Sequence, residues 1–73
     1  MDRSATWCYT LNNYTEEESE ELWKHGTYQI QGYEKGEQGT PHIQGYIEFQ
    51  NAVRLSTLKK INKRIFKRAI WSR

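Results

Sequence analysis

The fold of this chain is decided by TYQIQGYEKGEQGTPHIQGYIEFQ, residues 27–50. Two runs rich in aromatic and β-branched residues, 27–34 and 42–50, flank a loop that contains Gly36, Gly39 and Pro41. This pattern predicts a β-hairpin, because glycine and proline favour turns and interrupt strands. The whole chain has 73 residues, which is enough for one small domain built around that hairpin.

The two faces of the second hairpin strand differ in chemistry, since successive side chains of a strand point to opposite faces. The apolar face, predicted to be core, carries Ile43, Ile47 and Phe49. The polar face, predicted to be a working surface, carries His42, Gln44, Tyr46 and Glu48.

A strand and a helix are predicted before the hairpin. Residues 6–12, TWCYTLN, favour a strand with its larger apolar side chains on one face, namely Trp7, Tyr9 and Leu11. Residues 16–24 predict a helix, with Thr15 as its N-cap, Glu18 completing a capping box and Gly26 as its stop. His25 is predicted to be a surface residue near the helix C-terminus.

A helix and a strand are predicted after the hairpin. Leu55, Leu58 and Ile61 form one apolar stripe of a short helix, and RIFKRAIWS, residues 64–72, is predicted to be a fourth strand. The order βαββαβ predicts an α+β, ferredoxin-like fold, in which a four-stranded antiparallel sheet carries both helices on one face. The other face of the sheet then lacks a cover within this chain.

Cysteine content and hydropathy favour an intracellular protein. The single cysteine, Cys8, cannot form an internal disulfide, and its apolar neighbours predict a small buried thiol. No apolar run approaches the roughly 18 residues of a membrane span, so we expect a soluble chain with no membrane partner.

Charge is distributed unevenly along the chain. Residues 1–48 contain nine acidic and three basic residues, whereas residues 49–73 contain eight basic residues and no acidic one. Such a segment favours a polyanionic partner such as nucleic acid. The eight basic residues are Arg54, Lys59, Lys60, Lys63, Arg64, Lys67, Arg68 and Arg73.

Hairpin pairing suggests a candidate metal site. Glu34 ends one strand beside His42, which begins the next, and Gln44 lies on the same face as His42. Two oxygens and one nitrogen, without a thiolate, favour Mg²⁺ or Mn²⁺ and leave positions for a phosphate. On the residues alone, ordinary polar side chains on a solvated face are the simpler interpretation, because His-x-Gln is common by chance.

Two longer motifs carry a family resemblance. WCYTLNN, residues 7–13, and GTPHIQGYIEF, residues 39–49, closely resemble the first two motifs of the replication initiator (Rep) proteins of nanovirus-like and circovirus-like single-stranded DNA viruses. These proteins are HUH endonucleases, named after a His-hydrophobic-His ligand pair whose second His is often Gln in this branch. The basic segment RLSTLKKIN, residues 54–62, also resembles the family's next segment.

The resemblance implies a role for each matching residue. Glu34, His42 and Gln44 would hold Mn²⁺ or Mg²⁺ against a scissile phosphate. The first motif would position single-stranded origin DNA, Tyr46 would stack on a base, and basic side chains would contact phosphates. The implied DNA-binding set is Thr10, Leu11, Asn12, Asn13, Tyr46, Lys59, Lys60, Lys63, Arg64, Lys67 and Arg68.

The family further implies rolling-circle replication in the host nucleus, by nicking and joining single-stranded DNA at a viral stem-loop origin. Residues 1–73 would be the N-terminal part of that HUH domain. The family's nucleophile is a Tyr-x-x-Lys tyrosine, and none of the five tyrosines here has lysine three residues later. We therefore expect the nucleophile beyond Arg73, no covalent step from this stretch alone, and low stability or self-association through Trp71 and Tyr46.

Two alternatives stay open. The order βαββαβ also belongs to RNA-recognition domains, and residues 45–49, GYIEF, match the last five positions of their RNP1 pattern, which favours a non-enzymatic binder of single-stranded RNA or DNA. Residues 42–44 depart from that pattern, and metal dependence separates the two functions. The other alternative is a truncated regulatory form of Rep that occupies the DNA or the oligomer interface of full-length Rep.

Overall fold

The computed structural model describes residues 3–36 and 38–73, which form four strands and two helices. In chain order these are β1 (Arg3–Asn12), α1 (Glu16–Leu22), β2 (Tyr28–Lys35), β3 (Pro41–Arg54), α2 (Leu55–Ile61) and β4 (Ile70–Ser72). The predicted order βαββαβ is confirmed. No helix in these two ranges is long and apolar enough to cross a membrane.

The four strands form one antiparallel sheet in the order β2-β3-β1-β4. The hairpin partners are therefore neighbours, and β1 lies between β3 and the short edge strand β4. The pairing of β1 with β3 shifts between Ser4 and Thr6, where the ladder is irregular. This arrangement confirms the predicted ferredoxin-like fold.

The first helix begins at Glu16, immediately after its predicted N-cap Thr15. The Thr15 side chain accepts the Glu18 backbone N–H at 3.2 Å, and the Glu18 carboxylate accepts the Thr15 backbone N–H at 2.9 Å. This capping box satisfies two backbone donors that would otherwise lack partners at a helix start. The helix ends two residues before the predicted position, and Gly26, at φ 77°, turns the chain toward β2.

The core lies between the helices and one face of the sheet. Gly45 leaves room there for the Tyr9 ring, whose hydroxyl donates to Gln29 Oε1 at 2.5 Å. Gln29 in turn donates to the carbonyl of Leu22 at 2.7 Å, which satisfies an acceptor at the end of α1. Burial raises the pKa of Tyr9 to about 12. The buried hydrophobic residues are Trp7, Tyr9, Leu11, Leu22, Ile43, Ile47, Leu58, Ile65, Phe66 and Ala69.

The fourth strand is much shorter than predicted. Only Ile70–Ser72 pairs with β1, whereas residues 63–69 form a turn segment with helix-like hydrogen bonds, such as Ala69 N–H to Ile65 O at 3.1 Å. The Asn62 side chain accepts the backbone N–H groups of Arg64 and Ile65 and so starts this turn. The apolar spacing explains the error, because Ile65, Phe66 and Ala69 are all buried together, which alternation along a strand would prevent.

Of the α2 stripe, Leu58 is fully buried, whereas Leu55 and Ile61 are exposed. Two expectations about burial are wrong. Cys8 is exposed, since it alternates with the buried residues of β1. His25 is half-buried, with its ring centroid 4.7 Å from that of Phe66, and this burial lowers its pKa.

Candidate metal and nucleic-acid site

The face of the sheet opposite the core, called the open face here, is organised into cross-strand rows. Register places Glu34, His42 and Asn12 in one row across β2, β3 and β1. The next row contains Gly32, Gln44, Thr10 and Ile70. The row after that contains Ile30, Tyr46, Cys8 and Ser72.

The first row brings a carboxylate and an imidazole into direct contact. Glu34 Oε1 lies 3.0 Å from His42 Nε2, and the two residues are directly opposite each other in the antiparallel ladder. The Glu34 side chain is 56% exposed and that of His42 is 19% exposed, so an ion can approach from solvent. The predicted pairing of these two residues is therefore confirmed.

Gln44 occupies the same face, one row away from His42. Its side chain is exposed and makes no hydrogen bond within residues 3–36 and 38–73, so its amide oxygen is uncommitted. Its row neighbour Gly32 has no side chain to cover it. Across the same described residues, no group of three His, Cys, Asp or Glu side chains could hold a metal. Among residues 3–36 and 38–73, a third side-chain ligand at this site would therefore be an amide or hydroxyl such as Gln44.

The spacing and donor chemistry of these residues fit a hard divalent ion. Around Mg²⁺ bound at about 2.1 Å, two ligands at right angles are about 3.0 Å apart. The Glu34 and His42 atoms are separated by this distance, which also suits the hydrogen bond they form with each other. Carboxylate and amide oxygens are preferred by Mg²⁺ and Mn²⁺, and an imidazole nitrogen is compatible with Mn²⁺.

Comparison with known proteins places the sequence of this chain in a family. Residues 4–71 match the model of a family described as putative viral replication protein. This chain belongs to that viral replication protein family. Its sequence is 54% identical over 68 residues to the replication-associated protein of Beak and feather disease virus, covering 86% of this chain and 24% of that protein.

Other members of the viral replication protein family show the same partial overlap. Identity is 49% over 71 residues with the replication-associated protein of Pigeon circovirus, covering 92% of this chain and 21% of that protein. It is 45% over 56 residues with the master replication protein of Milk vetch dwarf virus, covering 75% of this chain and 18% of that protein. The chain therefore spans a quarter or less of the length of these relatives.

The residues of the first family-like motif do not all reach the open face. Thr10 and Asn12 lie there, in the rows of Gln44 and His42. Leu11 is fully buried and has no surface to offer DNA, so its part in the motif is packing. Asn13 has φ 53°, a left-handed conformation that asparagine tolerates better than most residues, and its N–H donates to Pro41 O at 2.7 Å.

The predicted phosphate contacts lie in the helix layer rather than beside the metal ligands. They belong to α2 and the turn segment after it, whose apolar residues enter the core on the opposite side of the sheet. Arg68 already has partners within the protein, donating to Glu18 Oε1 at 2.8 Å and to Asn12 O at 3.0 Å. Arg64 lines a cleft with Glu17, Glu20 and other residues of α1. The acidic helix therefore offsets part of the basic charge.

Apolar side chains on the open face were missed as site residues. Tyr28, Ile30 and Ile70 are 51%, 53% and 63% exposed, and Tyr46 lies beside Ile30. The Tyr28 and Tyr46 ring centroids are 6.3 Å apart. Alternation from Glu34 back along β2 is the sequence signal that assigns Tyr28 and Ile30 to this face.

Proposed function

We propose that this chain supplies the metal-binding and DNA-recognition part of a viral replication initiator of the HUH type, which nicks and joins single-stranded DNA. The observation that carries the proposal is the 3.0 Å contact between Glu34 and His42 on an open sheet face, with Gln44 uncommitted one row away. Membership of the viral replication protein family supports a role in replication. The host nucleus stays an expectation from that family.

The proposed ligands are Glu34, His42 and Gln44, holding Mn²⁺ or Mg²⁺. Such an ion, when bound, polarises a phosphodiester oxygen and orients the phosphate. Glu34 and His42 are held by adjacent strands of one ladder, so their separation depends on sheet register rather than on a mobile loop. Asn12, in the same row, is positioned to offer an amide to the nucleotide beside that phosphate.

The apolar residues of the open face suit unpaired bases. Base stacking on an aromatic side chain contributes about 1–3 kcal/mol per base, and it tolerates any sequence. Tyr46 lies four residues from His42 along β3, which is about 13 Å at 3.3 Å per residue. A strand whose phosphate sits at Glu34 and His42 can therefore place a neighbouring base near Tyr46 and Tyr28.

The covalent step is not proposed for these residues. Tyr9 is buried, its pKa is raised by burial, and its hydroxyl is bonded to Gln29. The Cα atoms of Tyr46 and His42 are about 13 Å apart along β3, and the Tyr46 hydroxyl donates to Glu48, two residues farther from His42. Tyr33 is next to Glu34 but alternates to the opposite face. None of the five tyrosines begins a Tyr-x-x-Lys motif, so we infer that the nucleophilic tyrosine of the full initiator lies outside residues 1–73.

A second candidate function rests on the Tyr28–Tyr46 pair. Two neighbouring aromatic rings on a bare four-stranded antiparallel sheet also suit a non-enzymatic RNA or single-strand binder of the RNA-recognition type. Such a protein would bind through stacking and phosphate contacts alone. Its affinity would then be independent of Mn²⁺ and of His42.

Binding of single-stranded origin DNA with and without Mn²⁺ separates the two functions. We expect Mn²⁺ to strengthen binding, and His42→Ala or Gln44→Ala to weaken Mn²⁺ binding by about tenfold or more, judged from the effect of losing even outer contacts to a metal. Gln50→Ala, which removes another exposed glutamine from β3, is the matched control. Equal DNA affinity with Mn²⁺ and with chelator, unchanged in His42→Ala, would replace the nicking proposal with the second function.

A denaturing gel tests the covalent step separately. Labelled origin DNA incubated with this chain and Mn²⁺ should give no label that migrates with protein. A labelled protein band would mean that one of the five tyrosines attacks the phosphate, contrary to the distances above.

A further inference from the structure

Two arginines face each other at the end of the β1–β3 ladder that is farthest from His42, and neither forms an ion pair with any other described residue. Arg3 of β1 is the cross-strand partner of Arg54 of β3, and both side chains are exposed. Like charges directly opposite in a ladder destabilise the pairing. Within the described ranges, neither guanidinium forms a hydrogen bond or an ion pair, whereas Arg68 is paired with Glu18.

These two arginines line a concave surface. A shallow cleft of about 380 Å³ is bounded by Arg3, Arg54, Thr57, Ala52 and Val53. The Thr57 hydroxyl adds a neutral hydrogen-bond donor beside the two guanidinium groups. Val53, which lines the cleft, packs against the hydrophobic core, so its position is fixed by the fold.

The charge of the cleft selects an anion. Arginine presents planar, forked donors that match phosphate oxygens, and two guanidinium groups in one cleft repel each other until an anion lies between them. The part of the cleft formed by Ala52, Val53, Arg54 and Thr57 comes from a segment with no acidic side chain after Glu48. The acidic residues of α1 contact Lys24, His25 and Arg68 instead.

The cleft and the candidate metal site lie at opposite ends of β1. Asn12 is in the row of Glu34 and His42, and Arg3 is nine residues earlier, which is about 30 Å at 3.3 Å per residue. Stacked nucleotides rise about 3.4 Å each, so about nine nucleotides span this distance. The strand β1 therefore runs from the cleft to the candidate metal site.

We infer that the Arg3–Arg54–Thr57 cleft is a second anchoring site for the backbone phosphates of the DNA strand, remote from the metal. The inference rests on the proposed single-strand binding and extends it along the sheet. A DNA strand held at both sites spans the length of β1, so a long oligonucleotide gains contacts that a short one cannot reach.

Salt dependence of binding measures these contacts. Each phosphate contact to a single strand contributes about 0.7 to the slope of log affinity against log salt. Loss of two contacts in Arg3→Ala/Arg54→Ala lowers this slope by about 1.4. For an oligonucleotide of about 16 nucleotides, raising the salt from 50 to 200 mM should therefore weaken wild-type binding by a factor about seven times larger than the factor for the variant. An oligonucleotide of about 4 nucleotides, at the lower limit of usual site sizes, should show no such difference.

Two further variants control for charge. Arg3→Lys/Arg54→Lys keeps both charges and should keep most of the salt slope. Lys24→Ala removes an exposed charge just after α1, where it pairs with Glu21, and should leave the slope unchanged. If Arg3→Ala/Arg54→Ala has the wild-type slope while binding of the long oligonucleotide still depends on Mn²⁺ and His42, the cleft inference fails and the proposed function stands.

A second readout does not depend on DNA binding. In amide NMR spectra recorded without metal, tripolyphosphate should shift the signals of Arg3, Arg54 and Thr57 in the wild-type protein, and these shifts should be lost in Arg3→Ala/Arg54→Ala. Absence of these shifts overturns the cleft as a phosphate site. If the shifts occur but no oligonucleotide binds, the cleft binds free polyphosphate only, which overturns the DNA anchor together with the proposed function.

Discussion

Replacing Gly45 by alanine should destabilise the fold severely, although the change adds one methyl group. A Cβ atom at this position would overlap the Tyr9 ring and lie 2.5 Å from its hydroxyl oxygen. Tyr9 is only 3% exposed and its hydroxyl is bonded to Gln29, so the ring cannot swing into solvent without breaking that bond. Either the ring or the β1–β3 ladder must therefore move.

The size of the effect follows from three contributions. Overpacking of a core costs about 1–3 kcal/mol. Loss of the Tyr9–Gln29 hydrogen bond leaves buried polar groups unpaired, which costs about 1–3 kcal/mol. The lower entropy of the unfolded alanine chain offsets up to about 1 kcal/mol. The net loss is about 3 kcal/mol, comparable to the whole stability of about 3–5 kcal/mol expected for a domain of this size.

Urea unfolding followed by tryptophan fluorescence measures this loss. With a slope of about 1 kcal/mol per molar urea for a small domain, the midpoint should fall by about 3 M. Gly32→Ala is the matched control, because a Cβ there meets only the Gln44 carbonyl at 3.6 Å and its midpoint should stay near wild type. A Gly45→Ala midpoint within about 0.5 M of wild type would refute the packing argument.

Two further predictions concern side chains at the helix layer. Arg68→Ala should lower the free energy of unfolding by about 1 kcal/mol, because it removes the hydrogen bonds to Glu18 and Asn12. Lys67→Ala also removes an exposed charge, but Lys67 forms no hydrogen bond or ion pair within the described residues, so its urea midpoint should stay near that of the wild type. Equal urea midpoints for the two variants would contradict this. Burial lowers the pKa of His25 below 6.5. The buried neutral imidazole therefore contributes fully to the free energy of unfolding above about pH 6.5, and this contribution is lost as the pH falls through the lowered pKa. His25→Leu should therefore lose less stability than wild type between about pH 7 and 5.5, and parallel pH profiles of the two urea midpoints would contradict the burial of that imidazole.

The pairing of Glu34 and His42 at the candidate metal site could be predicted from the sequence, because it depends on a hairpin. The turn residues between β2 and β3 fix which residues face each other, and Glu34 opposite His42 follows from that register. The surroundings of the residues proposed to contact DNA were harder to predict. Alternation alone would have excluded Leu11 from the surface. The hydrogen bond from Arg68 to Glu18 could not be predicted in this way, because it joins residues that are 50 positions apart in the chain.

Elements with strong local signals were predicted close to their observed bounds. The capping box of α1, the stop at Gly26 and the alternation of Trp7, Tyr9 and Leu11 each involve residues within a few positions of one another. Such signals act before tertiary contacts exist, so the sequence by itself determined the order of elements, the hairpin and the chemistry of its polar face.

Tertiary structure alone decided the features that depend on distant partners. The run 64–72 has residues suited to a strand, but most of it forms a turn because Ile65, Phe66 and Ala69 fill the core together. Gly45 is required by the Tyr9 ring on the neighbouring strand. Both outcomes depend on which side chains fill the same buried volume. Because the core is close-packed, this is determined only when the whole sheet and its helices are in place.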